Sequence, residues 1–161
     1  MNIVAATKII NEMLAAKVIE NYALSGALAV TFYTEPIATQ DVDIFFQIKK
    51  AENDLLILSL IYDYLARKGY EAKDEHNIIE NLPIQFLPVF NDLMSEAVEN
   101  ANEFELEDTT IRVMSPEHLV AIMLDTGKTK DYLRINMFLH DDLIDFDKLE
   151  TILQRHELSA K

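Results

Sequence analysis

The chain of 161 residues contains no cysteine. A disulfide framework and a thiolate metal site are thereby excluded, and a reducing compartment is favoured. Glycine and proline are scarce, at three and four residues, so breaks in regular structure are few and each is informative. Positive charge is thin: 14 Lys and Arg stand against 28 Asp and Glu, a net charge of −14. This balance disfavours generic nucleic-acid binding, because basic side chains dominate affinity for phosphate backbones. Anionic membrane surfaces are disfavoured for the same reason. A small phosphorylated ligand carried with a divalent cation remains compatible, as does a basic protein partner. No apolar run is long enough to span a bilayer, and residues 1–20 carry charges throughout, unlike a secretory leader. The expectation is a soluble, cytoplasmic protein with no membrane association.

What the chain does contain is ordinary for a globular domain: 50% apolar and 26% charged residues. A chain of this length fits one domain and buries roughly two-thirds of its unfolded surface. Ile3, Ile10, Leu14 and Val18 recur at helical spacing over residues 2–20. Residues 22–25 read as a short strand. Ser25 and Gly26 then open a helix that Glu35-Pro36 ends, since the residue before proline avoids the α region. Residues 41–48 alternate as a strand, and 52–68 form a second amphipathic helix closed at Gly69. Residues 70–80 and 82–90 are expected strands, 92–102 a short helix, and 104–114 a hairpin turning at Glu107-Asp108-Thr109. Ser115-Pro116 is a good helix start, after which the chain reads helical with breaks near Gly127 and near His140-Asp141-Asp142. The expected fold class is α+β, a small mixed β-sheet flanked by helices. A core over 1–114 and a helical part over 115–161 make a single domain, 1–161.

Alternation places Asp41 and Asp43 on one face of their strand and Val42, Ile44 and Phe46 on the other. Two carboxylates side by side repel and resist burial. A hard cation removes that objection, and Mg²⁺ or Mn²⁺ commonly takes one or two carboxylates, completing its shell with water and substrate phosphate. The plainer alternative is an exposed acidic strand end in a very acidic protein. Fifteen residues upstream, a strand, the Ser25-Gly26 turn and a helix N-terminus offer backbone N–H groups to a phosphate, with Gly26 allowing close approach. Alone, that turn is equally a plain helix cap. Together the two features outline a nucleotide–metal site. His76, His118, His140 and His156 lack metal-ligand spacing and read as surface or helix-end residues.

The stretch SGALAVTFYTEPIATQDVDIFF resembles the motif region of the DNA-polymerase-β-like nucleotidyltransferases, in particular the bacterial group related to abortive-infection AbiEii toxins. Thr39, Asp41 and Asp43 match the family's Thr and Asp-x-Asp, and Ser25-Gly26 fills its small-residue turn. SPEHLVAIMLDTGKTKDYLRI resembles the family's later element, with Lys130 and Asp131 matching a Lys-Asp pair. The resemblance implies NTP and Mg²⁺ (or Mn²⁺) binding, with Asp41 and Asp43 as catalytic metal ligands. It also implies that Ser25, Gly26, Thr39, Lys128, Lys130 and Asp131 contact the nucleotide. The chain departs from the pattern at several points: Ile37 stands where relatives usually carry Arg, Met123 where they often carry Lys, and Lys128 where they often carry Arg. The third carboxylate aligns with Gln85 in NLPIQFLPVF, with Asp92 nearby as a poorly spaced substitute.

Asp41 and Asp43 are thus expected to face a cleft with the Ser25-Gly26 turn on its far wall and Gln85 on a neighbouring strand. Lys128, Lys130 and Arg134 are the remaining cations, read equally as a solvated helix end. Three functions compete: an active transferase moving NMP to a hydroxyl acceptor, a weakened nucleotide-binding or protein-partner module of a toxin–antitoxin or phage-defence system, and a structural α+β protein. The Asp pair separates the last from the others; Gln85 separates the first from the second.

Overall fold

A computed structural model describes residues 3–34, 41–48 and 54–157. Its elements are α1 (Ile3–Ala15), β1 (Asn21–Ser25), α2 (Gly26–Val30), β2 (Val42–Gln47), α3 (Asp54–Arg67), β3 (Ala72–Lys73), β4 (His76–Ile79) and β5 (Leu82–Pro88). They continue as α4 (Asp92–Glu99), β6 (Asn102–Leu106), β7 (Thr109–Val113), α5 (Pro116–Thr126), α6 (Thr129–His140) and α7 (Phe146–Arg155). The strands form one mixed sheet of seven, in the order β3-β4-β5-β2-β1-β7-β6. At its centre β1 runs antiparallel to β2, while β2 pairs with β5 and β1 with β7 in parallel. The expected α+β class with a mixed sheet is what the chain adopts. Among the described residues no helix is long and apolar enough to cross a membrane.

Period-two alternation gives the sheet two distinct faces. Tyr22, Leu24, Ile44, Phe46, Ile84 and Phe86 are buried on one face, with Phe46 and Phe86 in edge contact at 6.4 Å. Helices α1 and α3 cover this side. The Tyr22 hydroxyl donates to Asn11 Oδ1 of α1 at 2.8 Å, and α3 packs on β5. The opposite face meets α4, where Gln47 Nε2 donates to Ser95 Oγ at 3.2 Å. Helices α5, α6 and α7 then build outward from α4.

Three local expectations are corrected. The helix opened by Gly26 stops at Val30 because the hydroxyls of Thr31 and Thr34 donate back to the carbonyls of Leu28 (2.6 Å) and Val30 (3.1 Å). The N–H groups of Thr31, Phe32 and Tyr33 meanwhile tighten onto carbonyls three residues back. The single strand expected over 70–80 is a hairpin, turned at Asp74 with φ of 57°. The first helix ends at Ala15, where Lys17 takes φ of 60° and Val18 N–H closes onto Met13 O at 2.9 Å. With glycine so scarce, acidic residues and asparagine occupy left-handed turn positions. Glu80-Asn81 and Glu107-Asp108 both have positive φ at two successive residues, the geometry of a tight hairpin turn.

Candidate functional site

The register of the central strands sets one polar row across the sheet. Ser25 pairs with Asp43 across β1 and β2, and Asp43 pairs with Gln85 across β2 and β5. Directly opposed residues project from the same face. One residue beyond the Asn77–Ile84 pair, His76 falls beside Gln85, and His76 pairs in turn with Lys73. The next row on this face is apolar: Ala23, Phe45 and Leu87. A cleft of about 360 Å³ lies between these rows and the helices α4, α5 and α6, a size suited to a small ligand. Phe45, Leu87, Met94, Leu119, Ile122 and Met123 form its apolar part. Ser25, Gly26, Asp43, Gln85, Thr126, Lys128, Asp131 and Arg134 form its polar part.

Gly26 is required twice over. Its φ is +68°, and a Cβ built there would stand 2.5 Å from Asp43 Oδ2. The missing side chain is therefore the space that the Asp43 carboxylate occupies. Ser25 makes no capping bond to α2 and is almost fully buried, so its hydroxyl lines the cleft instead of tying the helix. Helix α2 itself has five residues, too few aligned peptides for a strong macrodipole.

The other sequence candidates divide. Asp41 sits just before β2, exposed, with its Oδ1 3.6 Å from His76 Nε2; it is not part of the described cleft lining. The two carboxylates share a side of the sheet but not a wall of the cleft. Gln85 is in register with Asp43, and its Nε2 donates to Glu75 Oε2 of the β3–β4 turn at 3.3 Å. Asp92 begins α4 and borders a different recess with Asp125, Arg155 and His156, apart from the lining of the Asp43 cleft. Among the described residues no group of three or more His, Asp or Glu converges to hold a metal. Asp131 is 7% exposed and accepts from Thr126 Oγ1 and from Arg134 Nη1, both at 3.1 Å. Lys130 lies in the first turn of α6, its side chain outside the described residues, and Thr39 and Ile37 lie wholly outside them.

His118 is not at the surface; it is 3% exposed at the start of α5. The Ser115 hydroxyl meets His118 Nδ1 at 2.7 Å, and His118 Nε2 lies 2.8 Å from Glu96 Oε2 of α4. Glu96 Oε1 also receives Arg155 Nε of α7 at 2.7 Å, and His156 Nε2 stands 3.3 Å away. Burial pushes the His118 pKa down despite the neighbouring carboxylate. Burial also opposes the charge on Glu96, but His118, Arg155 and the nearby His156 outweigh it and hold its pKa below the ordinary value. His118 is then neutral, donating Nε2–H to Glu96 and accepting the Ser115 hydroxyl proton at Nδ1. The connectivity is that of a hydrolytic triad, but Ser115 is wholly buried and its Oγ also accepts the His118 backbone N–H at 3.2 Å. This cluster is structural. The sequence signal for it is two charged or polar residues, Glu117 and His118, heading the otherwise apolar helix PEHLVAIM.

No protein-family model matches the chain, and no curated protein matches it. Solved structures do. A crystal structure of an antigenic nucleotidyltransferase-like protein from Paracoccidioides brasiliensis superposes with a TM-score of 0.56 at 14% identity, covering 83% of this chain and 72% of that one. The solution structure of the antibiotic-resistance factor ANT(2″)-Ia gives 0.50 at 15% identity over 94% of this chain and 91% of that one. ANT(2″)-Ia in complex with adenylyl-2″-tobramycin gives 0.50 at 14% identity, over 91% and 94%. At these identities the likeness establishes the fold, which is nucleotidyltransferase-like.

Proposed function

We propose that this nucleotidyltransferase-like chain, as a single domain over 1–161, binds a nucleoside triphosphate with one divalent cation in the Asp43 cleft. The observation that carries the reading is the in-register row Ser25–Asp43–Gln85, set against the Gly26 gap and faced by Lys128 and Arg134. The residues fit one Mg²⁺ or Mn²⁺: a hard ion needs only one or two protein carboxylates beside phosphate and water. Asp43 would hold it, with Asp41, on the same side of the sheet but outside the cleft lining, as the candidate second ligand. They do not fit a second ion, because Gln85 brings no charge. When bound, the ion neutralises phosphate oxygens during nucleotidyl transfer.

The chain's own groups do the rest. The Gly26 gap fixes where the Asp43 carboxylate stands. The Ser25 hydroxyl offers a neutral hydrogen-bond partner beside it. The apolar row of Phe45 and Leu87 excludes water from one side of the ligand. Gln85 cannot accept a proton from an incoming hydroxyl as a carboxylate can, and this favours a second reading. In that reading the chain is a catalytically weakened nucleotide-binding or protein-partner module of the AbiEii-related, toxin–antitoxin or phage-defence kind, in the cytoplasm. The test is Mn²⁺ titration of wild type, Gln85→Asp and Gln85→Glu in the presence of a non-hydrolysable NTP analogue. One ion bound by wild type and a second gained by either variant supports the proposal. No analogue-dependent ion in wild type overturns it, and two ions in wild type remove the case for weakened transfer.

A further inference from the structure

The polar lining of the Asp43 cleft includes a guanidinium held by a neighbouring carboxylate. Arg134, on the second turn of α6, lines the cleft and donates from Nη1 to Asp131 Oδ1 at 3.1 Å. Asp131 is itself nine-tenths buried, and the hydroxyl of Thr126, the last residue of α5, lies 3.1 Å from its Oδ2 and shares its one proton between that oxygen and the Met123 carbonyl at 3.2 Å. Its two oxygens are thus divided between a hydroxyl that locates the carboxylate and a guanidinium that the carboxylate locates. A guanidinium carries five N–H donors in a planar fork, and this bond engages one edge of it. Lys128, which also lines the cleft, caps the start of α6 without a side-chain capping bond.

We infer that Arg134 is the residue that reads the phosphoryl oxygens of the ligand, and that Asp131 acts on the ligand only through Arg134, as a positioning residue. The inference rests on the nucleotide reading of this cleft and changes its assignment: Asp131 leaves the set of nucleotide contacts and Arg134 enters it. A preset fork loses little side-chain freedom on binding and matches two oxygens of one phosphate, where Lys128 contributes a point charge. The apolar part of the cleft, Phe45, Leu87 and Met94 among it, then takes the uncharged part of the same molecule.

Calorimetry with three probes tests this: ATP with Mg²⁺, inorganic triphosphate with Mg²⁺, and adenosine. Arg134→Ala is expected to weaken ATP and triphosphate at least tenfold and to leave adenosine within twofold. Arg134→Lys is expected to recover less than half of the lost affinity on a logarithmic scale, because charge returns without the fork. Asp131→Asn removes a negative charge near the anion, which alone would tighten binding. Loss of the held fork makes it weaken ATP severalfold in wild type, yet the same change in the Arg134→Ala background is expected to be neutral or tightening. That reversal is a readout a merely structural role does not produce, and melting curves of each variant confirm folding. Equal ATP affinity in wild type and Arg134→Ala overturns the inference while leaving the nucleotide reading in place. If wild type binds triphosphate and not ATP, the nucleotide reading fails and the triphosphate arm alone decides for Arg134. If wild type binds neither, both fail.

Discussion

Helix α5 separates two carboxylate sites that share their chemistry and differ in their company. At its start, Glu96 meets cationic or donor groups from two elements: His118 of α5 and Arg155 of α7, with His156 just beyond α7. Further along, Leu119, Ile122, Met123 and Thr126 turn toward the cleft, where the strand neighbours of Asp43 are the neutral Ser25 and Gln85. Glu96 is saturated by the fold and so serves the fold. Asp43 stands in the space left by the absent side chain of Gly26 and lines a cleft. A second acid near α7, more deeply buried, follows the Glu96 pattern: Glu117, 6% exposed, takes Lys148 Nζ at 3.2 Å and the Asp145 N–H at 3.3 Å. Two acids thereby dock α7, a strongly amphipathic helix with Leu149, Ile152 and Leu153 buried beneath it.

The most forceful way to break the comparison is to neutralise each acid in turn. Glu96→Ala leaves the buried His118 without its carboxylate and frees Arg155 of α7, and is expected to cost about 3 kcal/mol in urea unfolding, with the slope unchanged. Asp43→Asn is expected to change stability by less than about 1 kcal/mol in the ligand-free protein, since asparagine keeps the side chain's shape and one of its acceptor oxygens. Equal losses at the two sites would show that the fold leans on both alike. Next in size is Gly26→Ala, expected to cost about 2 kcal/mol from the left-handed backbone, and more from the collision with Asp43. Asp43→Ala in that background should return the collision component and leave the backbone component, a less-than-additive pair. Strict additivity would mean that the carboxylate does not fill the space beside Gly26.

The smallest effect is graded with pH and sharpens the contrast. His118 has a folded pKa below its ordinary value of 6.5 and Glu96 one below 4.5. For both, the unfolded chain binds protons first as pH falls, so their contribution is present above the unfolded pKa and is lost as pH drops through the folded one. Melting temperature is expected to decline below about pH 6.5 in wild type, and less steeply in His118→Gln. At the alkaline end Tyr22 and Tyr33, both pushed up to about 12 by burial, act with the opposite sign. The unfolded tyrosines ionise near 10, so stability is lost as pH rises from about 10 toward 12. An acid limb unchanged in His118→Gln would remove the histidine from the account.

The elements that could be read in advance are those whose information is local. Ser115-Pro116 and Gly127 bound α5 as their chemistry demands, and strict alternation over 41–48 gives β2 and the face that Asp43 shares with Phe45. The pairing of Asp43 with Gln85, suggested by resemblance, is a register across 42 residues of chain and needed the sheet to establish it. The β3–β4 turn was hidden because Asp74, not glycine or asparagine, adopts the left-handed conformation there. His118 was misplaced because its partner Glu96 lies on another helix, and no spacing along one segment announces such a pair. Asp41 and Asp43 shared a face as alternation requires, but alternation does not say where a cleft ends, and Asp41 falls outside it beside His76.

The contact between Gly26 and Asp43 also constrains the order in which this sequence can change. Every replacement of glycine adds a Cβ, and at position 26 that atom meets the Asp43 carboxylate oxygen at 2.5 Å. A lineage that shortens residue 43 first opens the space and relaxes one of the two demands on residue 26. A lineage that alters residue 26 first carries backbone strain and collision together. Once both have changed, restoring aspartate at 43 is blocked until glycine returns. The gap beside β2 thus acts as a ratchet on descent: the acid can be abandoned in one step, and regained only along a path that passes through glycine again.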